Sequence, residues 1–201
     1  VYAAEFVGPP ARWTLPAYNN DKIRVAYVSA DLQNHATSHL MAGLFESHTR
    51  ERFEFTAVSY GQDCGTPMRG RLRAAFDRFI DAATMTDVDV VRLLRELKID
   101  IAVDLKGFTN EARPKIFRDR GAPLQVNFLG YPCTWGSDCI DYIIADERLI
   151  PHESAKFYSE KIVWMPVCYQ PNDRKRQIAE FSAARSKLGL PESGFVFCCF
   201  N

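Results

Sequence analysis

Short runs of apolar and β-branched residues recur along this chain, and each is separated from the next by a segment of helical periodicity or by a polar loop. The runs are Lys22–Ser29 (KIRVAYVS), Phe53–Tyr60, Asp77–Asp81, Ile99–Leu105 (IDIAVDL), Leu124–Leu129, Tyr142–Ala145 and Ile162–Met165. Runs this short and this rich in Val, Ile and Phe suit strands buried on both faces. The intervening segments suit helices. Leu40, Met41, Leu44 and Phe45 lie at helical spacing within 38–51, with Thr37 or Ser38 expected as the N-cap. Val90, Val91, Leu94 and Leu97 share one face of 87–97, 68–76 forms another helix, and Pro114 opens a short one over 112–118. Strands alternating with helices predict an α/β fold, a Rossmann-like, doubly wound and mostly parallel sheet.

Composition narrows the function. Lys plus Arg equals Asp plus Glu at 25 each, so the chain carries no overall charge of the kind that nucleic acid or an anionic membrane selects. The basic groups at 106–120 and 174–176 are local. No apolar run reaches the length of a membrane span, and no secretory signal opens the chain. The six cysteines show no C-x-x-C spacing, which predicts free thiols, no zinc site and a reducing, cytoplasmic setting. Residues 1–21 are expected to be a lead-in from an upstream region, 22–166 a Rossmann-like lobe, and 167–201 a linker, a helix (179–188) and a first strand (194–200) of a further lobe.

In open α/β sheets ligands bind beyond the carboxyl ends of the strands. Three polar loops occupy such positions. The first, Asp31–His39, offers a carboxylate, two imidazoles, two hydroxyls and two amides just ahead of a helix N-terminus, a mixture suited to proton transfer and anion binding. The second, Lys106–Asn110, pairs a cation with Gly107. On residue type alone, Lys106 reads as a solvated charge, and Arg113 as the partner of Glu111 or another acid. The third, Gly130–Ser137, combines two glycines with Tyr131 and Trp135, which either stack on a ligand or pack the rim of the core. His35 and His39 lack the Glu of H-E-x-x-H, so a metal reading is weak. There is no G-x-G-x-x-G or P-loop. Residue types alone do not name a reaction.

The same loops resemble the catalytic region of the O-GlcNAc transferase and SPINDLY family, glycosyltransferase family 41. The matching segments are RVAYVSADLQNHATSHLM (24–41), DLKGFTNEAR (104–113), APLQVNFLGYPCTWG (122–136), DYIIADERLIP (141–151), YSEKIVWMP (158–166) and FVFCCFN (195–201). The resemblance implies the first lobe of a GT-B enzyme that moves a sugar, with inversion, from a nucleotide-sugar donor to Ser or Thr hydroxyls of a protein or peptide acceptor. The expected donor is UDP-GlcNAc, with no cofactor and no metal. It also implies partners in the same chain: a C-terminal lobe that holds most of the nucleotide, and upstream tetratricopeptide repeats. This chain alone is expected to be inactive. By position, His35 matches the family's catalytic candidate and Asp31 a second proposed proton acceptor. Thr37 and the Leu129-Gly130-Tyr131-Pro132 turn match residues lining the donor-sugar pocket. His39 is grouped with the substrate-binding residues, as are Gly107, Phe108, Thr109 and Arg113 near the cleft. Ala36 stands where animal members have Pro, Phe108 where they have Tyr, and Cys199 where they have Asn. Three other readings stay open: an O-fucosyltransferase using GDP-fucose, a non-catalytic Rossmann-like binding lobe, and a response-regulator or flavodoxin-like domain.

Overall fold

The run IRVAYVS becomes the central strand β1 (Ile23–Ser29) of a seven-stranded sheet in the computed structural model, which describes residues 9–177, 180 and 183–198. The other strands are β2 (Phe53–Ser59), β3 (Arg78–Asp81), β4 (Ile101–Asp104), β5 (Leu124–Phe128), β6 (Tyr142–Ala145) and β7 (Lys161–Trp164). Every pairing is parallel and the spatial order is β3-β2-β1-β4-β5-β6-β7. The Rossmann-like, doubly wound sheet expected from the alternation is therefore present. A flavodoxin-like order would place the strands differently.

Alternation along β1 sends its side chains to two cores. Ala26 and Val28 face a layer with Val58, Val90, Leu94, Ile116, Phe117 and Trp135. Val25 and Tyr27 face the opposite layer with Met41, Phe45, Phe55, Leu72, Phe76 and Leu105. The second layer is covered by α1 (Ala36–Ser47) and α2 (Pro67–Ala75), the first by α3 (Asp87–Glu96) and α4 (Lys115–Arg118). Helix α3 is closed at its start by a capping box, in which Thr86 Oγ1 accepts from the Asp89 N–H at 3.2 Å while Asp89 Oδ2 accepts from the Thr86 N–H at 3.3 Å.

Several local expectations are corrected. Helix α1 begins at Ala36, two residues early, because His35 and not Thr37 or Ser38 is its N-cap. The helix expected over 112–118 forms only at Lys115–Arg118, preceded by Glu111 at φ 61° and by Pro114. The segment 167–176 is irregular as expected but does not hang free. Asp173 is buried and accepts from Arg71 Nη1 at 2.6 Å and Nη2 at 3.1 Å, and Arg71 also holds Glu46 at 2.7 Å. These bonds fasten the segment to α1 and α2. Within 179–188 the described residues form only the 3₁₀ turn Arg185–Leu188, while 179, 181 and 182 lie outside the described residues. Gly194–Cys198 forms no strand, and 199–201 lie outside the described residues.

Candidate functional site

The strand order of the sheet reverses between β1 and β4, with β2 and β3 laid to one side and β4 to β7 to the other, and this switch point brings the first two polar loops together. Asp31, two residues past β1, organises the first. Its N–H donates to Ser29 Oγ at 2.9 Å and its carbonyl accepts from Ser38 Oγ at 2.5 Å. Its carboxylate is nearly buried and accepts from Lys106 Nζ at 2.9 Å (Oδ1) and 3.0 Å (Oδ2). Thr37 Oγ1 donates to Asp31 Oδ2 at 3.4 Å, and Nδ1 of His35 lies 3.5 Å from the same oxygen. Lys106 is thus no solvated charge. It turns inward because β4 delivers it directly beside the end of β1.

His35 is half exposed, and its Nδ1 accepts from the Thr37 N–H at 3.2 Å. A nitrogen that accepts carries no proton, so the neutral ring is protonated at Nε2. The expected N-cap residues are replaced because an imidazole reaches the N–H two residues on as a hydroxyl would. His39 points elsewhere. Its Nε2 pairs with Asn34 Oδ1 at 2.9 Å, and it lines an open hollow of about 650 Å³ with Asn34, Met68 and Arg71, on the outer flank of the loop.

The second loop turns on Asp104, the last residue of β4. Its carboxylate accepts from the N–H groups of Lys106 (2.8 Å) and Gly107 (2.9 Å). Complete burial pushes its pKa up to about 6, and those two N–H groups oppose the rise. Burial likewise pushes the neighbouring Tyr60 phenol well up, aided by the charges of Asp104 and Asp31. Thr109 closes the loop by donating from Oγ1 to Lys106 O at 2.9 Å. Arg113 is used structurally. It donates to Asp87 Oδ1 at 2.6 Å and Met85 O at 2.7 Å, and lies over the Tyr60 ring. The acid it pairs with is thus one distant in sequence, not Glu111.

The third loop is drawn onto the second. A side chain at Gly107 would place a Cβ 2.3 Å from Cβ of Tyr131, and one at Gly130 would lie 1.8 Å from the carbonyl oxygen of Leu105. Between β5 and Gly130, Leu129 takes φ 67° while the Gly130 N–H donates to Phe128 O at 2.8 Å, the strained sense of a γ-turn. Phe108 packs edge-on against Tyr131 and tilted against Trp135. Pro132 follows in the same turn. Two buried polar residues hold this loop, and neither stands out by type in the sequence. Asn127 Nδ2 donates to the carbonyls of Tyr131 (2.8 Å) and Cys133 (3.1 Å), and Glu160 accepts from Thr134 Oγ1 and the Trp135 N–H. The sequence signals for them are weak: Asn127 is a polar residue inside an apolar run, and Glu160 precedes another.

Asp31, His35, Thr37, Gly107, Phe108, Leu129, Gly130 and Tyr131 therefore belong to one continuous rim at the carboxyl end of the sheet. Among the described residues no group of three or more His, Cys, Asp and Glu is arranged to hold a metal ion.

Strand order and rim together define a Rossmann-type lobe, a class of sheet in which ligands bind at the switch point. Comparison with known proteins is more specific: the family Glycosyl transferase family 41 matches residues 9–184, and the chain belongs to it. It is 37% identical over 185 residues to an Arabidopsis thaliana protein named as a probable UDP-N-acetylglucosamine–peptide N-acetylglucosaminyltransferase, SEC, covering 90% of this chain and 19% of that one. It is 34% identical over 161 residues to the Caenorhabditis elegans UDP-N-acetylglucosamine–peptide N-acetylglucosaminyltransferase, covering 80% and 14%. Its fold matches a mutant of the Thermobaculum terrenum O-GlcNAc transferase with a TM-score of 0.74 at 31% identity, over 81% of this chain and 31% of that one. The chain thus spans under one-fifth of these two curated relatives.

Proposed function

We propose that this chain is the first lobe of a GT-B protein O-GlcNAc transferase, which moves GlcNAc from UDP-GlcNAc to Ser or Thr hydroxyls of protein acceptors. The observation that carries the reading is the convergence of His35, Thr37, Gly107 and the Leu129–Pro132 turn on one rim, in a chain whose relatives are named for this transfer. In an inverting transfer the acceptor oxygen bonds to the anomeric carbon, the bond from that carbon to the diphosphate oxygen breaks, and the hydroxyl proton leaves. The chemistry needs hydrogen-bond donors for the departing diphosphate and a group that orients or receives the proton.

In this scheme His35 contributes Nε2–H at the crevice mouth, and Thr37 with the Leu129–Pro132 turn borders the donor sugar. Gly107 allows Tyr131 to approach. Asp31, closed off by Lys106, acts through Thr37 and His35. His39, paired with Asn34, and Arg113, paired with Asp87, take no part in this scheme. The diphosphate is gripped mainly by a second lobe of the same protein, with upstream repeats selecting acceptors. No metal or cofactor is required if N–H groups and cations carry the phosphate charge. The cytoplasm is the proposed compartment, supported by the free thiols of Cys64, Cys133, Cys139, Cys168 and Cys198 and by the lack, among the described residues, of a helix long and apolar enough to cross a membrane.

The test is donor turnover by the full-length protein with UDP-GlcNAc and GDP-fucose in parallel, scored as sugar transferred to an acceptor peptide. Turnover of UDP-GlcNAc is expected. Use of GDP-fucose alone would make it a fucosyltransferase, and turnover of neither would leave a binding lobe.

A further inference from the structure

The Asp31–Lys106 pair is buried on both sides, with side-chain exposures of 5% and 6%. Burying two charges gives little stability over a well-packed apolar pair, whereas leaving one of them alone is strongly unfavourable. A pair kept at this place has another consequence. Asp31 Oδ2 is already shared between Lys106 Nζ and Thr37 Oγ1, and it lies 3.5 Å from Nδ1 of His35. If Lys106 did not occupy the carboxylate, its strongest available partner would be a proton on Nδ1. That bond would require the other imidazole tautomer and would break the cap to the Thr37 N–H at 3.2 Å.

We propose that Lys106 is a positioning residue of the transfer site: by saturating Asp31 it keeps His35 protonated at Nε2, pointing a donor at the crevice, and holds Thr37 at its rim. The inference rests on the reading of His35 and Thr37 as groups that face the donor. It assigns Lys106 no contact with substrate and no proton transfer of its own.

The experiment uses the full-length protein and the variants Lys106→Met, Asp31→Asn and their double. With ¹⁵N-labelled histidine at about pH 8, where a histidine ring is neutral, the His35 signal is identified by its loss in His35→Asn. The Nε2–H form is expected in the wild type and in the double variant, and the Nδ1–H form in Lys106→Met. In steady-state transfer, kcat of Lys106→Met is expected to fall about 10- to 100-fold, as for other supporting-shell residues, and the double variant to be no worse than the more impaired single one. An unchanged tautomer and rate in Lys106→Met would overturn the proposal. So would a rise in donor KM confined to Lys106→Met with Asp31→Asn silent, since that marks a direct phosphate contact. If Lys106→Met does not fold, Lys106→Arg and the double variant decide the matter: both must keep the Nε2–H form. If the wild type transfers no sugar, the proposed function fails while the tautomer measurement still judges Lys106.

Discussion

The N–H of Thr37 donates to Nδ1 of His35 across 3.2 Å, so one side chain caps helix α1 while the ring stays half exposed and, in the proposed function, offers its opposite nitrogen to the donor. The two duties can be separated. Asn is a good N-cap but lacks the imidazole donor, whereas Ala lacks both. His35→Asn is expected to keep the melting temperature and to lower kcat/KM for sugar transfer by about 100-fold or more. His35→Ala is expected to lose the same activity and, in addition, about 1 kcal/mol of stability. Equal stability of the two variants in urea melts would show that the cap is idle.

Segment 167–176 is fastened by charge, so its attachment depends on acid. The Arg71 guanidinium beside Glu46 holds its carboxyl down at about 2, and the same group lowers Asp173. A carboxylate depressed by folding contributes stability above its unfolded pKa and loses it as pH falls through the folded value. Unfolding midpoints are therefore expected to drop from about pH 4.5 toward pH 2 (the unfolded and folded values of Glu46). Glu46→Gln should flatten part of that drop. Asp173→Ala should make cleavage by protease within 167–176 faster without loss of the sheet's circular dichroism.

Near pH 5 two groups, His48 partly buried and Asp104 buried, act with opposite sign. Burial, with Arg50 nearby, pulls His48 down from 6.5 to about 4; its ring stacks on Phe55 at 4.0 Å and bonds the Tyr27 hydroxyl at 3.0 Å. The unfolded chain then binds more protons, so His48's share of stability is present above 6.5 and lost as pH falls toward 4. Asp104 is raised from 3.8 to about 6, so the folded state binds more protons and its share grows as pH falls from 6 toward 3.8. The wild-type profile between about pH 4.5 and 6, above the loss due to Glu46, should be nearly flat in urea melts. His48→Phe should tilt it toward greater stability in acid, and Asp104→Asn toward lower stability in acid. A tilt of the same sign in both variants would contradict the assignment.

Gly130 meets the Leu105 carbonyl where a Cβ would sit, while Gly65 has open space and only its φ of 62° to set against a side chain. Gly130→Ala is expected to destabilise by about 3 kcal/mol or more, since backbone must move. Gly65→Ala is expected to lose about 1 kcal/mol, the penalty of the left-handed conformation. Chemical denaturation of the two variants side by side checks the ranking.

The strands were legible because a parallel sheet draws on short apolar runs, and the seven expected runs became seven strands, the inner ones largely buried and the edge strands β3 and β7 partly exposed. Helix ends were less legible. The start of α1 was set by a histidine acting as a cap, a role that Ser and Thr usually take and that only the geometry of Nδ1 and the Thr37 N–H reveals. Helix 112–118 shortened to Lys115–Arg118 because Pro114 disfavours helical geometry at Arg113 and so becomes the cap, and the left-handed Glu111 before it stops any extension backward. The rim residues His35, Thr37, Gly107, Gly130 and Tyr131 were found through motifs lying just past strand ends. Lys106 was misjudged, because a lysine after a strand reads as solvated unless one knows which strand lies beside it.

By itself the sequence determined the alternation of strands and helices, the polar loops at strand ends and the family likeness of those loops, since all three are encoded in local order and spacing. The tertiary structure alone decided which charges meet. Asp31 and Lys106 stand 75 positions apart, and Arg71 and Asp173 stand 102 apart. A parallel sheet, by placing β1 against β4, turns the first of these separations into a contact of 2.9 Å, and the seating of 167–176 against α2 turns the second into one of 2.6 Å. Whether a charge is solvated, paired or positioning depends on that adjacency, because the energy of a charge is set by its surroundings and not by its neighbours in sequence.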